Sequence, residues 1–367
     1  MVQLGDIDVE CLVVLPSLGN GGTEKVAVLL SEFLSKNMVV GLVTFGEKED
    51  DAFTVRESIV RISIGGQSES SSFFRAVISN CRRILLMRRL FVGLKPKVVL
   101  SFLPQCNVIA ILSSLNTGIR IIVCERNSIR KQELVKFWFM LRRAVYRWAD
   151  QVTANSEEIR KELVKDVGCD VAVVQNPLVL PLNVPDIAAS EKILLSVGRL
   201  VPQKGYDLLI RGFSLSRAGR SGWKLCIVGA GPELNKLQEL ARDLSIDGRI
   251  VWVGSTNEVE HWYRRSRIFA LLSRVEGTSN ATLEAMGWAR PVIISSTSGG
   301  GQELITDGVD GFVIDPNPTT FSEKLDWVVD HPTDAQRVGK LGRNRVAKFD
   351  HNIVGNQWLK LIRETEC

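Results

Sequence analysis

Two glutamates eight residues apart lie in the run Glu276-Gly277-Thr278-Ser279-Asn280-Ala281-Thr282-Leu283-Glu284-Ala285-Met286. The run follows an apolar strand pattern, Ile268–Leu272, and leads into a helical one. A loop at the carboxyl end of a parallel strand, feeding a helix N-terminus, is where an open α/β sheet binds its ligand. Backbone N–H groups there suit a phosphate. The spacing puts Glu276 in the loop above such a ligand and Glu284 in the first turn or so of the helix behind it. One carboxylate then stands at each end of a phosphate-bearing molecule, for example at the sugar and the ribose of a sugar nucleotide. Spaced glutamates are also common surface acids, so the pair draws its weight from its context.

Three other segments could carry chemistry. In Ser196-Val197-Gly198-Arg199-Leu200-Val201-Pro202-Gln203-Lys204-Gly205 a strand ends and two cations bracket a turn. Arginine can fork two phosphate oxygens and lysine acts as a compact point charge, so the pair suits a diphosphate; a solvated basic loop is the bland alternative. Gly19-Asn20-Gly21-Gly22-Thr23-Glu24-Lys25 joins the first strand to the first helix. Its glycines allow close approach of backbone to a phosphate, although the spacing is neither G-x-G-x-x-G nor a Walker loop. Cys124-Glu125-Arg126-Asn127 ends a buried strand with consecutive polar residues, which either line a cleft or form an internal salt bridge. Asp6-Ile7-Asp8 resembles a metal-binding D-x-D but precedes the first strand, at the wrong end of a sheet.

These segments need a scaffold that brings strand ends together. Strand patterns occur at Cys11–Leu15, Val39–Phe45, Val98–Leu103, Arg120–Cys124, Gln151–Ala154 and Val171–Val174. Helical patterns lie between them: one from about Thr23, then Phe73–Phe91, Val108–Ser114, Lys131–Trp148 and Glu157–Lys165. A proline-rich break follows at Asn176–Ala189. A second series then runs from Ile193–Val197 through strands at Lys224–Val228, Ile250–Val253, Ile268–Leu272, Val292–Ile294 and Gly311–Ile314. Its helical patterns begin at Tyr206–Arg217 and end with Asp334–Ala347 and Asn352–Arg363. Alternating strands and helices predict two α/β Rossmann-like domains, each a parallel sheet with helices on both faces, with a hinge and a cleft between them.

Composition bounds the function. At 367 residues, 45% apolar and 24% charged, the chain reads as two soluble domains with real cores. Early acids argue against a signal peptide, and no apolar run is long enough to span a membrane. Seven cysteines without C-x-x-C spacing read as reduced residues of a cytoplasmic protein, and three scattered histidines make zinc an unpromising metal. Between Ser72 and Arg147, fifteen Lys/Arg face two acids, a net +13 in 76 residues. Aromatic and aliphatic residues are interleaved with those charges, which favours an anionic membrane surface. No nucleic-acid motif is present, so nucleic acid is not an expected partner.

In their order and spacing, several motifs resemble the bacterial family-4 retaining glycosyltransferases of the GT-B fold. They are Gly19–Lys25, Cys124–Asn127, Gln175-Asn176-Pro177, Val197-Gly198-Arg199 through Lys204-Gly205, Val228-Gly229-Ala230-Gly231-Pro232, and Glu276 through Met286. The resemblance covers nearly the whole chain. It implies an acceptor domain over 1–178, a linker over 179–190, a donor domain over 191–348 and a final helical segment, 349–367, crossing back to the first domain. It implies that Arg199 and Lys204 meet the diphosphate, Glu276 the transferred sugar and Glu284 the ribose hydroxyls. Thr278, Ser279 and Asn280 match the loop at the distal phosphate, Val253 and Gly254 the strand end at the base, and Gly21 and Gly22 a first-domain loop over the diphosphate.

Many relatives carry a histidine where this chain has Cys124–Asn127. The glutamate-arginine-asparagine form resembles a subgroup that builds surface polysaccharides and lipid-linked oligosaccharides. Asn20, Glu125, Arg126 and Asn127 are then the acceptor-side candidates. The resemblance implies transfer of a hexose or N-acetylhexosamine, with UDP as the leading nucleotide, and needs neither metal nor cofactor. The implied acceptor is a polyprenyl-diphosphate-linked sugar, met peripherally on the inner face of the cytoplasmic membrane. A non-hydrolysing sugar-nucleotide epimerase or a non-catalytic sugar-nucleotide-binding protein are the competing classes.

Overall fold

A computed structural model describes residues 8–65, 73–126 and 136–364. Asp6, Ile7, the serines at 68–72, Asn127, Arg130, Lys131 and Glu133 lie outside the described residues. The chain forms two compact units, Met1–Pro177 with His351–Cys367, and Leu178–Asp350.

The first unit holds seven strands: β1 (Cys11–Leu15), β2 (Val40–Thr44), β3 (Ile59–Ser63), β4 (Val98–Phe102), β5 (Arg120–Glu125), β6 (Gln151–Ala154) and β7 (Val171–Val173). All pair in parallel, in the order β3-β2-β1-β4-β5-β6-β7. Helices α1 (Gly22–Leu34), α2 (Phe73–Leu94), α3 (Pro104–Ser114), α4 (Lys136–Val145) and α5 (Glu157–Val167) connect them. β1, β2 and β4 are buried along their whole length, which explains their unbroken apolar sequences. α5 shows how the sequence sets helix limits. Ser156 accepts a hydrogen bond from Ile159 N at its start, and Gly168, at φ 73°, ends it in the left-handed conformation.

The second unit repeats the plan with β8 (Ile193–Val197), β9 (Lys224–Val228), β10 (Ile250–Gly254), β11 (Ile268–Leu271), β12 (Val292–Ser295) and β13 (Phe312–Ile314). Its helices are α6 (Tyr206–Leu215), α7 (Arg217–Arg220), α8 (Leu234–Asp243), α9 (Val259–Arg265), α10 (Asn280–Gly287), α11 (Gly299–Leu304), α12 (Pro318–Asp330) and α13 (Pro332–Val346). The strand order is β10-β9-β8-β11-β12-β13. The order therefore reverses between β8 and β11, and a crevice opens above the carboxyl ends of strands at such a switch point.

The last helix, α14 (His351–Arg363), belongs to the first unit. It packs on α1 through Gly355, where a Cβ would lie 2.4 Å from the Phe33 ring. Trp358 beside it has no exposed surface. Trp358→Ala is expected to cost about 3–5 kcal/mol of stability, read from the denaturant midpoint of unfolding. A shift under 1 kcal/mol would show that α14 is not part of that core.

Two elements were not expected and two expected helices need correction. β3 was missed because Arg61 interrupts its apolar run; the arginine pairs with Asp51 at 2.7 Å. α11 was missed because it opens on three glycines, poor helix formers. The helix expected over Tyr206–Arg217 is broken at Ser216, whose hydroxyl accepts from Gly219 N and caps α7. The helix expected from Val108 begins earlier, at Pro104, a residue suited to a first turn.

The proline-rich segment is fastened to the second unit. Arg290, 1% exposed, donates to Pro185 O at 2.7 Å and to Ser190 Oγ at 2.9 Å, and Arg343 donates to Pro181 O at 2.7 Å.

Candidate active site

The switch point of the second unit brings together Lys204 and Glu276, two of the residues singled out by type and spacing. Lys204 follows β8 and Glu276 follows β11, the two strands that flank the reversal. Their side chains form an ion pair, Lys204 Nζ donating to Glu276 Oε2. Both are largely buried, with side chains 14% and 11% exposed. Ser273 Oγ donates to the same carboxylate oxygen at 3.0 Å. Arg199 is exposed and, among the described residues, its guanidinium has no hydrogen bond or ion pair. A free guanidinium and a lysine with N–H groups to spare are what an incoming diphosphate requires.

Backbone geometry explains how residues 72 positions apart meet. Gly205 has φ 65°, and a Cβ on it would lie 2.0 Å from Leu272 O. Only glycine lets the turn after β8 press against the end of β11. Two further links join the same turn and loop. Arg274 N donates to Gln203 O at 2.8 Å, and Gln203 Nε2 donates to Val275 O at 2.8 Å. Arg274 also forks Asp207, at 2.8 and 2.7 Å. Gly205→Ala is expected to destabilise the unit by about 2–3 kcal/mol, combining left-handed backbone strain with displacement of the Leu272 carbonyl. An unchanged unfolding midpoint would refute that close approach.

The loop after Glu276 is buried at Thr278 and Ser279, each 6% exposed. Ser279 caps α10, accepting from Thr282 N at 3.3 Å, and Asn280 is the first helical residue. Gly300 packs underneath, where a Cβ would be 2.7 Å from Thr278 N. Glu284 is the fifth residue of α10, just past its first turn, and is half-buried. Tyr263, fully buried beside it, donates to Ala281 O at 3.1 Å. Burial first, and then the charge of Glu284, push the Tyr263 phenol well above its usual range. At the end of β10 the pairing with β9 shifts register between Trp252 and Gly254, an irregularity that sets Val253 apart. Gly254, at φ 76°, accepts a hydrogen bond through its carbonyl from Gly229 N at 2.8 Å.

In the first unit, the glycine loop lies at the end of β1, beside that sheet's own reversal between β1 and β4. Gly21 is the N-cap of α1 and Gly22 its first residue; Asn20 and Gly22 are exposed. The Glu24 carboxylate folds back over Gly21, with Oε2 2.0 Å from where a Cβ would be.

Glu125 and Arg126 end β5 and are internal. Glu125 has no exposed surface, accepts from Tyr146 Oη at 2.5 Å and lies 3.6 Å from Arg142. Burial first, and then the charge of Glu125, push the Tyr146 phenol well above its usual range. Arg126 donates to Val174 O at 2.9 Å and to Asn176 Oδ1 at 3.2 Å, with its guanidinium over the Phe102 and Trp358 rings. The salt-bridge alternative raised by the sequence is therefore what the described structure contains at Glu125. Sequence reasoning missed Ser273 and Gly205; the signals were a serine three residues before Glu276 and a glycine directly after Lys204.

Known proteins match most of the chain. The model for Glycosyltransferase Family 4 matches residues 20–180, and that for Glycosyl transferases group 1 matches residues 183–345. A Campylobacter jejuni protein named GalNAc-alpha-(1->4)-GalNAc-alpha-(1->3)-diNAcBac-PP-undecaprenol alpha-1,4-N-acetyl-D-galactosaminyltransferase is 24% identical over 360 residues, 96% of this chain and 98% of that one. Another from the same organism, N-acetylgalactosamine-N,N'-diacetylbacillosaminyl-diphospho-undecaprenol 4-alpha-N-acetylgalactosaminyltransferase, is 24% identical over 94% of this chain and 97% of its own. Among solved structures, Anabaena HepE in complex with UDP and glucose shares the fold with a TM-score of 0.82 at 16% identity, over 96% of this chain and 99% of that one. Sucrose-phosphate synthase from Thermosynechococcus elongatus does so with a TM-score of 0.83 at 17% identity, over 97% and 98%. With two parallel-sheet Rossmann-like units and a paired cation and carboxylate at a sheet's switch point, the chain belongs to the family-4 glycosyltransferases of the GT-B fold.

Proposed function

We propose that this glycosyltransferase moves a hexose or N-acetylhexosamine, with retention of configuration, from a nucleotide sugar to a polyprenyl-diphosphate-linked sugar. The observation that carries the donor half is the convergence of Lys204 and Glu276 at the β8/β11 switch point, with Arg199 unpaired nearby in sequence. UDP is the first nucleotide to test, since HepE was solved with UDP. The acceptor half is supported by the names of the Campylobacter relatives, which specify undecaprenyl-diphosphate-linked sugars.

In this reading the acceptor hydroxyl attacks the anomeric carbon on the face from which the diphosphate departs. The bond from that carbon to the phosphate oxygen breaks, the new glycosidic bond forms, and the hydroxyl proton passes to the departing oxygen. Arg199 and Lys204 stabilise the charge that develops there, Glu276 orients the sugar, and Glu284 accepts the ribose hydroxyls. On the acceptor side of this reading stands Asn20, exposed at the end of β1, while Glu125 and Arg126 are internal residues. Val253 and Gly254 meet the base through backbone.

Two cations at the diphosphate, Arg199 and Lys204, make a metal unnecessary in this reading, so activity is expected to survive EDTA. Activity lost with EDTA and restored by Mg²⁺ would overturn this.

A surface on α2 supports work at the inner face of the cytoplasmic membrane. Ile78, Leu85 and Val92 are 69%, 58% and 53% exposed and recur every seven residues. Exposed Arg82 and Arg89 alternate with them, and α2 has no acidic residue. Apolar and basic side chains on one helix face suit an anionic lipid surface. Among the described residues, no helix is long and apolar enough to cross a membrane. A panel of sugar nucleotides scored by thermal shift tests the donor reading, because a bound donor raises apparent stability. No shift with any of them would count against it.

A further inference from the structure

The Glu276 carboxylate is held from one side only. Lys204 Nζ and Ser273 Oγ both donate to Oε2, and among the described residues none bonds Oε1. Ser273 is fully buried and is itself fixed. Its carbonyl accepts from Ser295 Oγ and, at 2.8 Å, from Thr297 Oγ1. Ser298 Oγ lies 3.2 Å from Ser295 Oγ, and the Ser298 backbone forms a parallel bridge with Glu276. Hydroxyl side chains at the end of β12 thus fix the Ser273 backbone after β11, and the Ser273 hydroxyl in turn holds the carboxylate from behind. Charge neutralisation by Lys204 does not require this bracing, since a flexible ammonium can follow a rotating carboxylate. The terminal torsion of a glutamate is broad, so an unbraced carboxylate samples many orientations. A second, short-armed donor on the same oxygen selects one of them.

We propose that Ser273 is a positioning residue, which holds Glu276 by Oε2 so that Oε1 alone accepts a hydroxyl of the transferred sugar. The proposal rests on the sugar-nucleotide reading above. It makes Glu276 a directional acceptor, and it places donor-sugar recognition partly in Ser273, which need not touch the sugar.

The test uses the full-length protein with a sugar nucleotide that the wild type turns over, comparing Ser273→Ala, Ser273→Cys, Glu276→Gln and the Ser273→Ala/Glu276→Gln double variant. A hydrogen bond to a charged group supports an expected loss of about tenfold in kcat/KM for Ser273→Ala. UDP lacks the transferred sugar, so UDP affinity is expected to stay within about twofold, which also reports an intact fold. Ser273→Cys, nearly isosteric and a weak donor, is expected to fall between wild type and Ser273→Ala. The double variant is expected to be no worse than Glu276→Gln, since the two residues act as one unit. Wild-type turnover in Ser273→Ala, equal losses of UDP and sugar-nucleotide affinity, or additive losses in the double variant would each overturn the positioning role while leaving the function intact. A wild type that transfers no sugar from any nucleotide would overturn both.

Discussion

Lys204→Ala is expected to lower turnover about 100-fold, with the fold preserved. In the transition state the leaving diphosphate gains charge, and a preorganised donor at such a point is typically worth about 3 kcal/mol. The lysine is well placed for this because its ion pair with Glu276 and the Gly205 turn keep its ammonium at the strand ends before any ligand arrives. Only one of its three N–H groups is used by the pair, which leaves others for phosphate oxygens. Removing it also strands the largely buried Glu276 carboxylate. Losing one partner of a fully buried pair costs about 3–5 kcal/mol, and the residual exposure here lowers that figure. The variant should therefore melt earlier yet remain folded at assay temperature, as near-UV circular dichroism would verify. Near-normal turnover at saturating donor would refute the role of Lys204.

The second large effect separates the two glutamates. Glu284→Ala is expected to weaken UDP and sugar nucleotide alike, by about 10- to 100-fold, because a lost bond to a charged group removes about 1.5–3 kcal/mol from any ligand containing the ribose. Glu276→Ala is expected to lower kcat/KM for the sugar nucleotide by a similar factor while leaving UDP binding as tight as before, or tighter. The reason is the ion pair: without Glu276 the Lys204 ammonium loses its counter-ion and has more to gain from a phosphate. Titration calorimetry with UDP on both variants checks this contrast. Equal weakening of UDP by both substitutions would remove the assignment of one carboxylate to each end of the donor.

The two-unit architecture was legible because parallel strands buried on both faces are written as unbroken apolar runs, as in Cys11–Leu15 and Ile268–Leu271. The same rule hid β3, an edge strand whose Arg61 serves an ion pair. Candidate site residues were legible by type and by position at strand ends. Their pairing was not, because β8 and β11 become neighbours only through sheet order, which spacing along the chain does not encode. Gly205 and Ser273 look ordinary in sequence; one matters because of a carbonyl from another strand, the other because of a carboxylate three residues away. At Glu125 the polar cluster was visible, but not that Tyr146 and Arg142 would enclose it.

The central claim is sugar transfer from a nucleotide donor to a lipid-linked acceptor. Its most direct test is incubation of the wild-type protein with radiolabelled UDP-sugars and a polyprenyl-diphosphate-linked sugar, followed by partition into organic solvent. The account predicts that label moves from one of the nucleotide sugars into the lipid phase as UDP is released. Label that stays in the aqueous phase with every donor, or that reappears only as an epimerised sugar nucleotide, would contradict it.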